Sequence, residues 1–419
     1  MTESTIVYDI GFDTILEAFE DCCKNKRNSP DCIAFMRSDY ESKLYALWHQ
    51  ISTGTYAPDV STCFIVTVPV YREVFAAAFI DRIVHHWIAL RLMPILEARF
   101  VEQGNVSKNC RKGEGPLSAV RRMQQMMRNV QAKSCTGGWV YQADLKGFFM
   151  SIRKDLLWEL ISEFVVNNYT APDRNCLLYL LRITIFHRPQ DKCVRRSAPS
   201  MWNNLPPGKS LFDIDDNCGV AIGNLPSQLL ANFIGSVFDD FVLYGLGIGD
   251  YERFVDDFAS THVSLDVLLA ARPKMKEFLE SIHLTLHPKK QYIQRIEHGI
   301  KFVGAVVYPD RTYIANRTLG HFYSKLHKFN QIPQEQKLQH LEQFVAMANS
   351  YLGMMKQHRS YNIRRKVCLE MILPNWSPYV YFKNGLWKVC VKNRYKKLYQ
   401  MRKQVRERKL ADILTPEIA

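Results

Sequence analysis

The chain has 419 residues, of which 47% are hydrophobic and 23% are charged, a composition that excludes a disordered or low-complexity protein. The 55 lysines and arginines exceed the 41 acidic residues and give a formal net charge of +14, which is typical of nucleic-acid-binding proteins but also of a merely solvated basic surface. The 11 cysteines form no CxxC pair, and no secretory signal or membrane span is recognisable. We therefore expect a cytoplasmic protein with reduced thiols and no membrane partner.

Hydrophobic periodicity predicts a mixture of helices and strands over the first three quarters of the chain. The expected helices are 13–23, 39–51, 79–100, 153–167, 227–243 and 265–282. The expected strands are 63–70, 139–145, 251–255, 258–263, a segment near 292, and 302–308. Residues 188–219 form a polar, proline-rich connection, and connections of this length are usually functional or flexible.

The pattern changes after residue 316, where strand signals almost vanish. Helices are predicted over 317–329, 334–355 and 363–371, and a helical tail with interleaved basic and aromatic residues follows them. We therefore expect a boundary near residues 310–316, between a mixed α/β unit and a helical unit.

Three acidic residues lie where predicted strands end or meet. Asp144 ends an apolar strand, and Asp256 and Asp257 lie between two short strands. Because successive strand residues point to opposite faces, two adjacent aspartates converge only where the strand is turning. Carboxylates gathered in this way repel one another, and Mg²⁺ relieves the repulsion. Two such ions about 3.5–4 Å apart would activate a 3′-hydroxyl and stabilise a leaving pyrophosphate.

Asp-Asp pairs are also common as solvated residues of turns and helices. This chain has two others, Asp215-Asp216 and Asp239-Asp240, and the second is likewise flanked by apolar residues. The pair at 256–257 is therefore ambiguous by itself, and the order of the segments around it decides its interpretation.

Six segments, in order along the chain, resemble the motifs of the reverse transcriptase family. They are 70–86 (VYREVFAAAFIDRIVHH), 144–152 (DLKGFFMSI), 222–228 (IGNLPSQ), 254–257 (FVDD), 286–290 (LHPKK) and 301–304 (KFVG). The resemblance covers roughly residues 60–310 and implies an α/β (α+β) right-hand polymerase. Its parts would be fingers over 1–140, a palm with an antiparallel sheet over 141–312 and an insertion near 170–219, and an α-helical, basic thumb over 313–419.

The third of these segments points to a subfamily. Most reverse transcriptases carry QGxxxSP there, whereas this chain has Ile222 in place of glutamine and Gln228 in place of proline. This form resembles the enzymes of diversity-generating retroelements, as do residues 206–212 (PPGKSLF), 111–113 (RKG) and the His85-His86 pair. Those enzymes copy a template RNA into cDNA with frequent errors opposite adenine, and a small basic accessory protein usually assists them.

The resemblance implies a complete set of reaction components. The enzyme would be an RNA-directed DNA polymerase that uses two Mg²⁺ ions, dNTP substrates, a template RNA held as an RNA/DNA hybrid, and a primer 3′-OH. Two alternatives stay open: a group II intron-like or phage-defence reverse transcriptase, and a non-catalytic, basic RNA-binding scaffold on a polymerase fold. Phe254 departs from the family, which usually has tyrosine at this position, but the aromatic ring is kept.

The resemblance also assigns residues to the catalytic centre. Asp144, Asp256 and Asp257 would be catalytic residues and metal ligands, and Leu145 would add a backbone carbonyl to the metal. The predicted nucleotide-binding residues are Arg72, Phe149, Ile222, Gly223, Gln228 and Lys290.

The resemblance and the side-chain chemistry suggest a role for each predicted nucleotide-binding residue. Arg72 would clamp the triphosphate, Phe149 would exclude a ribose 2′-hydroxyl, and Lys290 would protonate the pyrophosphate. Gly223 would allow close backbone approach to a nucleotide, and Gln228 would contact the template or the neighbouring backbone. Ile222 lacks the amide of glutamine, so it would restrain the base pair less and lower discrimination.

Four of these side chains also have an ordinary structural interpretation. Phe149 and Ile222 would equally suit a hydrophobic core. Arg72 would suit a surface ion pair, and Lys290 a solvated position.

Cations of two further segments are predicted to bind RNA phosphates. They are Arg111, Lys112, Lys392, Arg394, Lys396 and Lys397. The last four lie in a basic stretch from Lys383 to Lys409, whose aromatic residues would either stack on bases or pack as core.

Overall fold

The computed structural model describes residues 7–24, 27, 29–68, 70–135, 137–397 and 399–401 and shows a mixed α/β fold. Its helices are α1 Phe12–Cys23, α2 Pro30–Arg37, α3 Tyr40–Ser52, α4 Phe79–Glu102, α5 Pro116–Lys133, α6 Phe148–Ser151, α7 Lys154–Asn168, α8 Arg174–Phe186, α9 Leu225–Asp240, α10 Leu265–Ser281, α11 Asn316–Asn330, α12 Gln334–Met355, α13 Tyr361–Lys366 and α14 Leu373–Trp376. Its strands are β1 Ser61–Val66, β2 Arg72–Ala76, β3 Trp139–Leu145, β4 Cys193–Arg195, β5 Tyr251–Phe254, β6 Asp257–His262, β7 Leu286–Arg295, β8 Ile300–Phe302, β9 Ala305–Val307, β10 Thr312–Ile314, β11 Val380–Lys383 and β12 Lys388–Val391.

Most predicted elements are confirmed to within a few residues, and β3 and α12 coincide with their predicted ranges. The single strand predicted over 302–308 is wrong, because Val303 and Gly304 both have positive φ and form a turn between the antiparallel strands β8 and β9. The helices α2, α5, α6, α8 and α14 and the strands β2, β4 and β10 were not predicted.

In α8 the sequence is apolar on nearly every side, so this helix shows no simple one-sided stripe. In α5 the buried residues do lie on one face at helical spacing, among them Val120, Met123, Met127 and Val130, a periodic signal that the sequence interpretation missed. The proline-rich connection contains β4 and two short 3₁₀ turns, over 199–204 and 211–213.

The chain divides into two compact units that are not continuous in sequence. One contains residues 1–115 and 140–293, and the other contains 116–139 and 294–419. The division therefore falls before the predicted boundary at 310–316, because α5 belongs with the strands that follow residue 294. Gln124 Nε2 donates to the carbonyl of Tyr308 at 3.2 Å, and Arg128 Nε donates to that of Pro309 at 2.7 Å. The division into fingers, palm and thumb stays a prediction.

The first unit contains the strands that carry the predicted acidic residues. Its four-stranded sheet has the order β5-β6-β3-β7, with β5 and β6 antiparallel. Its three-stranded sheet has the order β2-β1-β4, in which β1 pairs antiparallel with β2 and parallel with β4. Phe238 of α9 packs edge-on against Phe258 of β6, with ring centroids 5.1 Å apart, and Phe258 in turn contacts Tyr141 of β3. These fully buried rings attach α9 to the sheet.

The second unit has a helical core stabilised by stacked aromatic rings. Phe344 of α12 lies parallel to Trp376 of α14, with ring centroids 3.8 Å apart, and Phe322 stacks on Tyr351 at 4.4 Å. Four more aromatic side chains pack against this core: Phe382, Trp387, Tyr395 and Tyr399. Of the two interpretations of the tail aromatics, the structure therefore supports core packing for these four.

The predicted helical tail is wrong over residues 380–391, which form the antiparallel hairpin β11–β12. Alternating valines face inward, and Asn384 and Gly385 both have positive φ, at 54° and 62°. Asn-Gly between alternating apolar residues is a strong hairpin signal. The side chain of Asn349 anchors the hairpin, since it donates to the carbonyl of Val389 at 2.9 Å and accepts from its amide at 2.8 Å. Residues 402–409, the last part of the basic stretch, lie outside the described residues.

In the part of the chain that the structure describes, no helix is both long enough and apolar enough to cross a bilayer.

A buried carboxylate near the start of α4 fixes the segment before β1. Asp81 is only 2% exposed; it accepts a hydrogen bond from the hydroxyl of Tyr56 at 2.7 Å and one from the amide of Asp59 at 2.9 Å. Burial raises the pKa of Asp81 to about 6, although both hydrogen bonds act in the opposite direction. The native state therefore holds a proton on Asp81 at pH values where the unfolded chain has released it.

We expect Asp81→Asn to reduce the pH dependence of stability. Because the pKa of Asp81 is higher in the folded state than in the unfolded chain, its contribution is full below pH 4 and is lost as the pH rises through 6. Relative to the variant, the wild-type free energy of unfolding should fall by at most about 1.4 kcal/mol per pH unit in this range. Urea unfolding at pH 4, 5 and 6 measures the difference. The exposed Asp266→Asn is the control, and parallel profiles for wild type and Asp81→Asn would contradict the raised pKa.

Candidate active site

Two neighbouring strands bring the three predicted carboxylates together. Asp144 is the penultimate residue of β3, and β6, which begins with Asp257, lies beside β3 in the sheet. Phe254 pairs with Asp257 across the hairpin, so Val255 and Asp256 form its two-residue turn. The amide of Leu145 donates to the carbonyl of Asp256 at 3.0 Å, which ties this turn to the end of β3. The predicted meeting of two strands is thus confirmed, with the turn one residue earlier than expected.

Asp144 is buried, Asp256 and Asp257 are half-buried, and the three carboxylates repel one another. Burial raises the pKa of Asp256, and the charge of Asp144 raises it further. Burial also raises the pKa of Asp257 to about 7, with contributions from the charges of Asp256 and Asp144. The carboxyls of Asp144 and Asp257 lie within hydrogen-bonding reach of each other. The negative charges of the three carboxylates are therefore neutralised only in part by neighbouring positive side chains.

Two lysines supply that partial compensation. Lys290 Nζ on β7 lies 2.9 Å from Asp144 Oδ2. Burial lowers the pKa of Lys290, but its hydrogen bond to Asp144 outweighs this effect and the net shift is upward. Lys209, in the proline-rich connection, is exposed and close enough to lower the pKa of Asp256. Lys209 lies in the segment 206–212, but the sequence alone gives no sign that this lysine approaches the aspartates.

A metal site is not preformed in this arrangement. Among the described residues, no three His, Cys, Asp or Glu side chains are placed so that they would hold one metal ion together. Lys290 also engages one oxygen of Asp144. The chemistry of the donor set nevertheless fits Mg²⁺, because it consists of carboxylate oxygens whose mutual repulsion a divalent cation would relieve. Metal binding by the three aspartates and by the carbonyl of Leu145 stays a prediction.

The segment around Ile222 lies against β2. The Ile222 side chain is half-buried and packs against a small core that includes Phe75, whose amide donates to the Ile222 carbonyl at 2.8 Å. Gly223 has φ 120°, and a Cβ there would lie 2.6 Å from the carbonyl oxygen of Phe75. Close packing against β2 therefore explains this glycine. Gln228 is exposed and its side-chain oxygen accepts from the thiol of Cys110 at 3.2 Å.

The remaining predicted nucleotide-binding residues lie in two places. Phe149 is half-buried in α6, shortly after Asp144, with its ring edge-on to Phe148. Arg72 is exposed at the start of β2. Contacts of these residues with a nucleotide stay predictions, as do those of Ile222, Gly223, Gln228 and Lys290.

Arg111 has a structural environment. It is 7% exposed, and its guanidinium donates to Glu97 at 2.9 Å and to the carbonyl of Ser107 at 2.8 Å. A phosphate would have to displace these partners, so the geometry favours a structural role for Arg111. The neighbouring Lys112 is exposed.

The basic residues that follow β12 present a second exposed group of cations. Arg394, Lys396 and Lys397 are exposed, and Lys392 is half-buried. Arg394 also donates to the carbonyl of Pro378 at 2.8 Å. Their binding to RNA stays a prediction.

A buried glutamate anchors the proline-rich connection. Glu73 of β2 is 1% exposed and accepts hydrogen bonds from Trp202 Nε1 at 2.7 Å, Ser210 Oγ at 2.8 Å and the amide of Leu211 at 2.7 Å. The connection is therefore attached at two points, and Lys209 precedes the second. Sequence reasoning missed Glu73, because its partners lie more than a hundred residues away and no local pattern signals them.

Comparisons with known proteins give little further information. No protein-family model matches the chain, and no curated protein matches it. Three similar solved structures are telomerases. An apo telomerase from Candida tropicalis truncated from its C-terminal domain is 13% identical with a TM-score of 0.44, covering 61% of this chain and 55% of that one. The telomerase from Candida albicans in complex with a TWJ fragment of telomeric RNA is 11% identical with a TM-score of 0.47, covering 75% and 59%.

The apo telomerase from Candida tropicalis is 12% identical with a TM-score of 0.45, covering 82% of this chain and 62% of that one. The chain thus spans less than two thirds of the length of each of these telomerases. Similarity at these TM-scores is too low to assign a function to the chain.

We expect Asp257→Asn to stabilise the protein when divalent cations are removed. The substitution deletes a half-buried negative charge that two neighbouring carboxylates repel, so in EDTA at pH 8 the free energy of unfolding should rise by about 1 to 3 kcal/mol. Adding Mg²⁺ should then raise the unfolding temperature of the wild type more than that of the variant, because a ligand stabilises the state that binds it. Thermal unfolding with and without Mg²⁺ measures both effects. The exposed Asp213→Asn is the control, and a destabilised Asp257→Asn in EDTA would show that the carboxylates are already compensated.

Proposed function

We propose that the protein is an RNA-directed DNA polymerase with a right-hand architecture of fingers, palm and thumb. The observation that carries the proposal is the convergence of Asp144, Asp256 and Asp257 from β3 and the β5–β6 hairpin into a partly buried, mutually repelling cluster. The order of the sequence segments that resemble the reverse transcriptase family supports the same activity. Its substrates would be dNTPs, a template RNA and a primer 3′-OH.

Asp144, Asp256 and Asp257 would hold Mg²⁺, which when bound would lower the pKa of the primer hydroxyl and neutralise charge on the phosphates. The chain itself supplies cations at the same place. Lys290, 2.9 Å from Asp144, is positioned to give a proton to the departing pyrophosphate. The exposed Lys209 lies on an anchored loop near Asp256 and is available to a triphosphate oxygen. Lys112 and the cations after β12 would hold the RNA backbone.

The finer proposal is the error-prone enzyme of a diversity-generating retroelement, working with a small basic accessory protein. Ile222 supports it, because it is half-buried beside β2 and presents no hydrogen-bonding group where most relatives have glutamine. A base pair held with fewer polar contacts is discriminated less well. The group II intron-like and phage-defence alternatives share the chemistry and differ in the products.

One observation favours the non-catalytic alternative. Lys290 pairs with Asp144, and the described residues contain no ready three-ligand metal arrangement. A scaffold that had lost catalysis would keep such an ion pair closed, whereas a polymerase would open it when Mg²⁺ and a nucleotide enter. Direct assay of DNA synthesis separates the two.

We expect primer extension on an RNA template with Mg²⁺, and we expect Asp256→Ala combined with Asp257→Ala to reduce its rate by at least about a thousandfold. The reason is that two of the three carboxylates at the proposed reaction centre are lost. Extension of a labelled primer measures the rate. The matched control is Asp215→Ala combined with Asp216→Ala, an exposed pair elsewhere in the same chain, which should stay near the wild-type rate. Wild-type protein that incorporates no nucleotide, even with its accessory partner, would support the scaffold.

We expect products of the wild type to carry frequent misincorporations opposite template adenines, and Ile222→Gln to make them less frequent. The introduced amide would restore a polar contact near the base pair. Deep sequencing of cDNA made in vitro measures the error spectrum. Ile214→Gln, in the same small core, is the control for a polar group placed in this cluster. Accurate copying across adenines by the wild type would exclude the mutagenic subfamily while leaving the polymerase proposal intact.

A further inference from the structure

The turn that carries Asp256 contains a strained residue. Val255 has φ 61°, in the left-handed region, and it is the first of the two turn residues between β5 and β6. Hairpin turns with a positive φ at this position prefer glycine. For a β-branched residue this conformation is a genuine outlier that costs about 1 to 3 kcal/mol and persists only when neighbouring structure enforces it.

The side chain of Arg253 makes the contact that opposes relaxation of this turn. Its Nη1 donates to the carbonyl oxygen of Val255 at 3.2 Å. The same guanidinium is fully buried and is held by α9, since Nε and Nη2 donate to Asp239 at 2.8 and 2.7 Å, and Nη2 also donates to the carbonyl of Asn232 at 3.2 Å. The group that holds the Val255 carbonyl is thereby fixed to a helix.

The backbone of Arg253 is fixed on its other side. Its amide donates to the carbonyl of Val106 at 3.0 Å, and its carbonyl accepts from the amide of Lys108 at 3.0 Å. Gly235 of α9 leaves room for the guanidinium, because a Cβ at this position would overlap Arg253 Nη1. Every part of Arg253 is therefore immobilised, while Val255 by itself would favour another conformation.

We propose that Arg253 is a positioning residue that holds the Val255 carbonyl and so keeps the turn in the strained conformation that presents Asp256. Without this contact the turn relaxes, the hydrogen bond from Leu145 to the carbonyl of Asp256 is lost, and Asp256 moves away from Asp144. The proposal rests on the proposed polymerase activity for its functional consequence. A purely structural role, in which Arg253 only neutralises the buried Asp239, makes a different set of predictions.

The decisive variants are Arg253→Lys, Val255→Gly and their combination. Lysine keeps a positive charge for Asp239 but has no planar fork with which to reach both Asp239 and the Val255 carbonyl. We expect Arg253→Lys to lower kcat at least about tenfold, with the KM for dNTP changed less than about threefold, since the loss concerns the reacting groups. Adding Val255→Gly should restore activity at least about fivefold over Arg253→Lys alone, because glycine adopts positive φ without support.

Two further variants keep the test sharp. Gly235→Ala leaves Arg253 in place and displaces its guanidinium, so it should reproduce the fall in kcat and be rescued by Val255→Gly as well, even if Arg253→Lys folds poorly. Arg99→Lys is the matched control. Arg99 on α4 binds Ser236 and Asp240 of the same helix α9 but does not contact the turn, so its loss should lower stability without a rescuable fall in kcat.

A measurement without substrates distinguishes failure of this proposal from failure of the proposed function. Urea unfolding of the wild type, both single variants and the double variant, in EDTA, reports whether Arg253 acts through Val255. We expect Val255→Gly to raise the unfolding midpoint more in the wild type, where the strain is enforced, than in the Arg253→Lys background, where it is already relieved. Additive midpoints, or a double variant no more active than Arg253→Lys, would overturn the positioning role. An inactive wild type with non-additive midpoints would overturn only the polymerase assignment.

Discussion

Mutual repulsion among Asp144, Asp256 and Asp257 is the constraint around which the first unit is organised. Three carboxylates brought this close in a partly buried place disfavour the folded state, and the remaining structure has to hold them there. Pairing within the β5-β6-β3-β7 sheet fixes two of the backbones, the Leu145 amide fixes the turn, and Lys290 offsets part of the charge. The sheet is in turn attached to α9 by the buried rings of Phe238 and Phe258.

The β5–β6 hairpin carries or contacts two groups of acidic residues, and their charges are neutralised to different extents. Arg253 of β5 and Asp239 of α9 neutralise each other through two hydrogen bonds with no exposure to solvent, and Tyr251 donates a further hydrogen bond to the same carboxylate. At the tip of the hairpin, Asp256 and Asp257 receive no comparable guanidinium among the contacts described. The first arrangement is a stable joint between helix and strand. The second leaves negative charge that the neighbouring lysines offset only in part, which is the feature on which the proposed Mg²⁺ site depends.

Local patterns in the sequence predict much of this architecture. The apolar segment from Trp139 to Leu145 predicts β3 to the residue, and the apolar segments on both sides of Asp256-Asp257 predict a hairpin. The hairpin β11–β12 was also within reach, because Asn384-Gly385 between alternating valines is a turn signal that outweighs a helical trend in the surrounding residues. Long-range partners are a different matter. Asp239-Asp240 and Asp256-Asp257 have similar neighbours, and only the fold shows that Asp239 is neutralised by Arg253, fourteen residues away. In the same way, only the fold shows Arg111 paired with Glu97 and Glu73 bound to Trp202.

The position of α5 in the second unit affects the solubility of truncated fragments of the chain. In sequence this helix lies between the two segments of the first unit. Its side chains Gln124 and Arg128 nevertheless donate hydrogen bonds to backbone carbonyls of residues that are synthesised about 180 residues later. Until those residues emerge, the methionines on its inner face, Met123, Met126 and Met127, lack the neighbours that bury them in the finished protein. A fragment that stops at residue 293 would leave these apolar side chains exposed to solvent. Such a fragment would bind chaperones or aggregate. Cutting the chain at residue 293 therefore does not separate two independent domains, because the second unit includes residues 116–139, which lie between the two segments of the first.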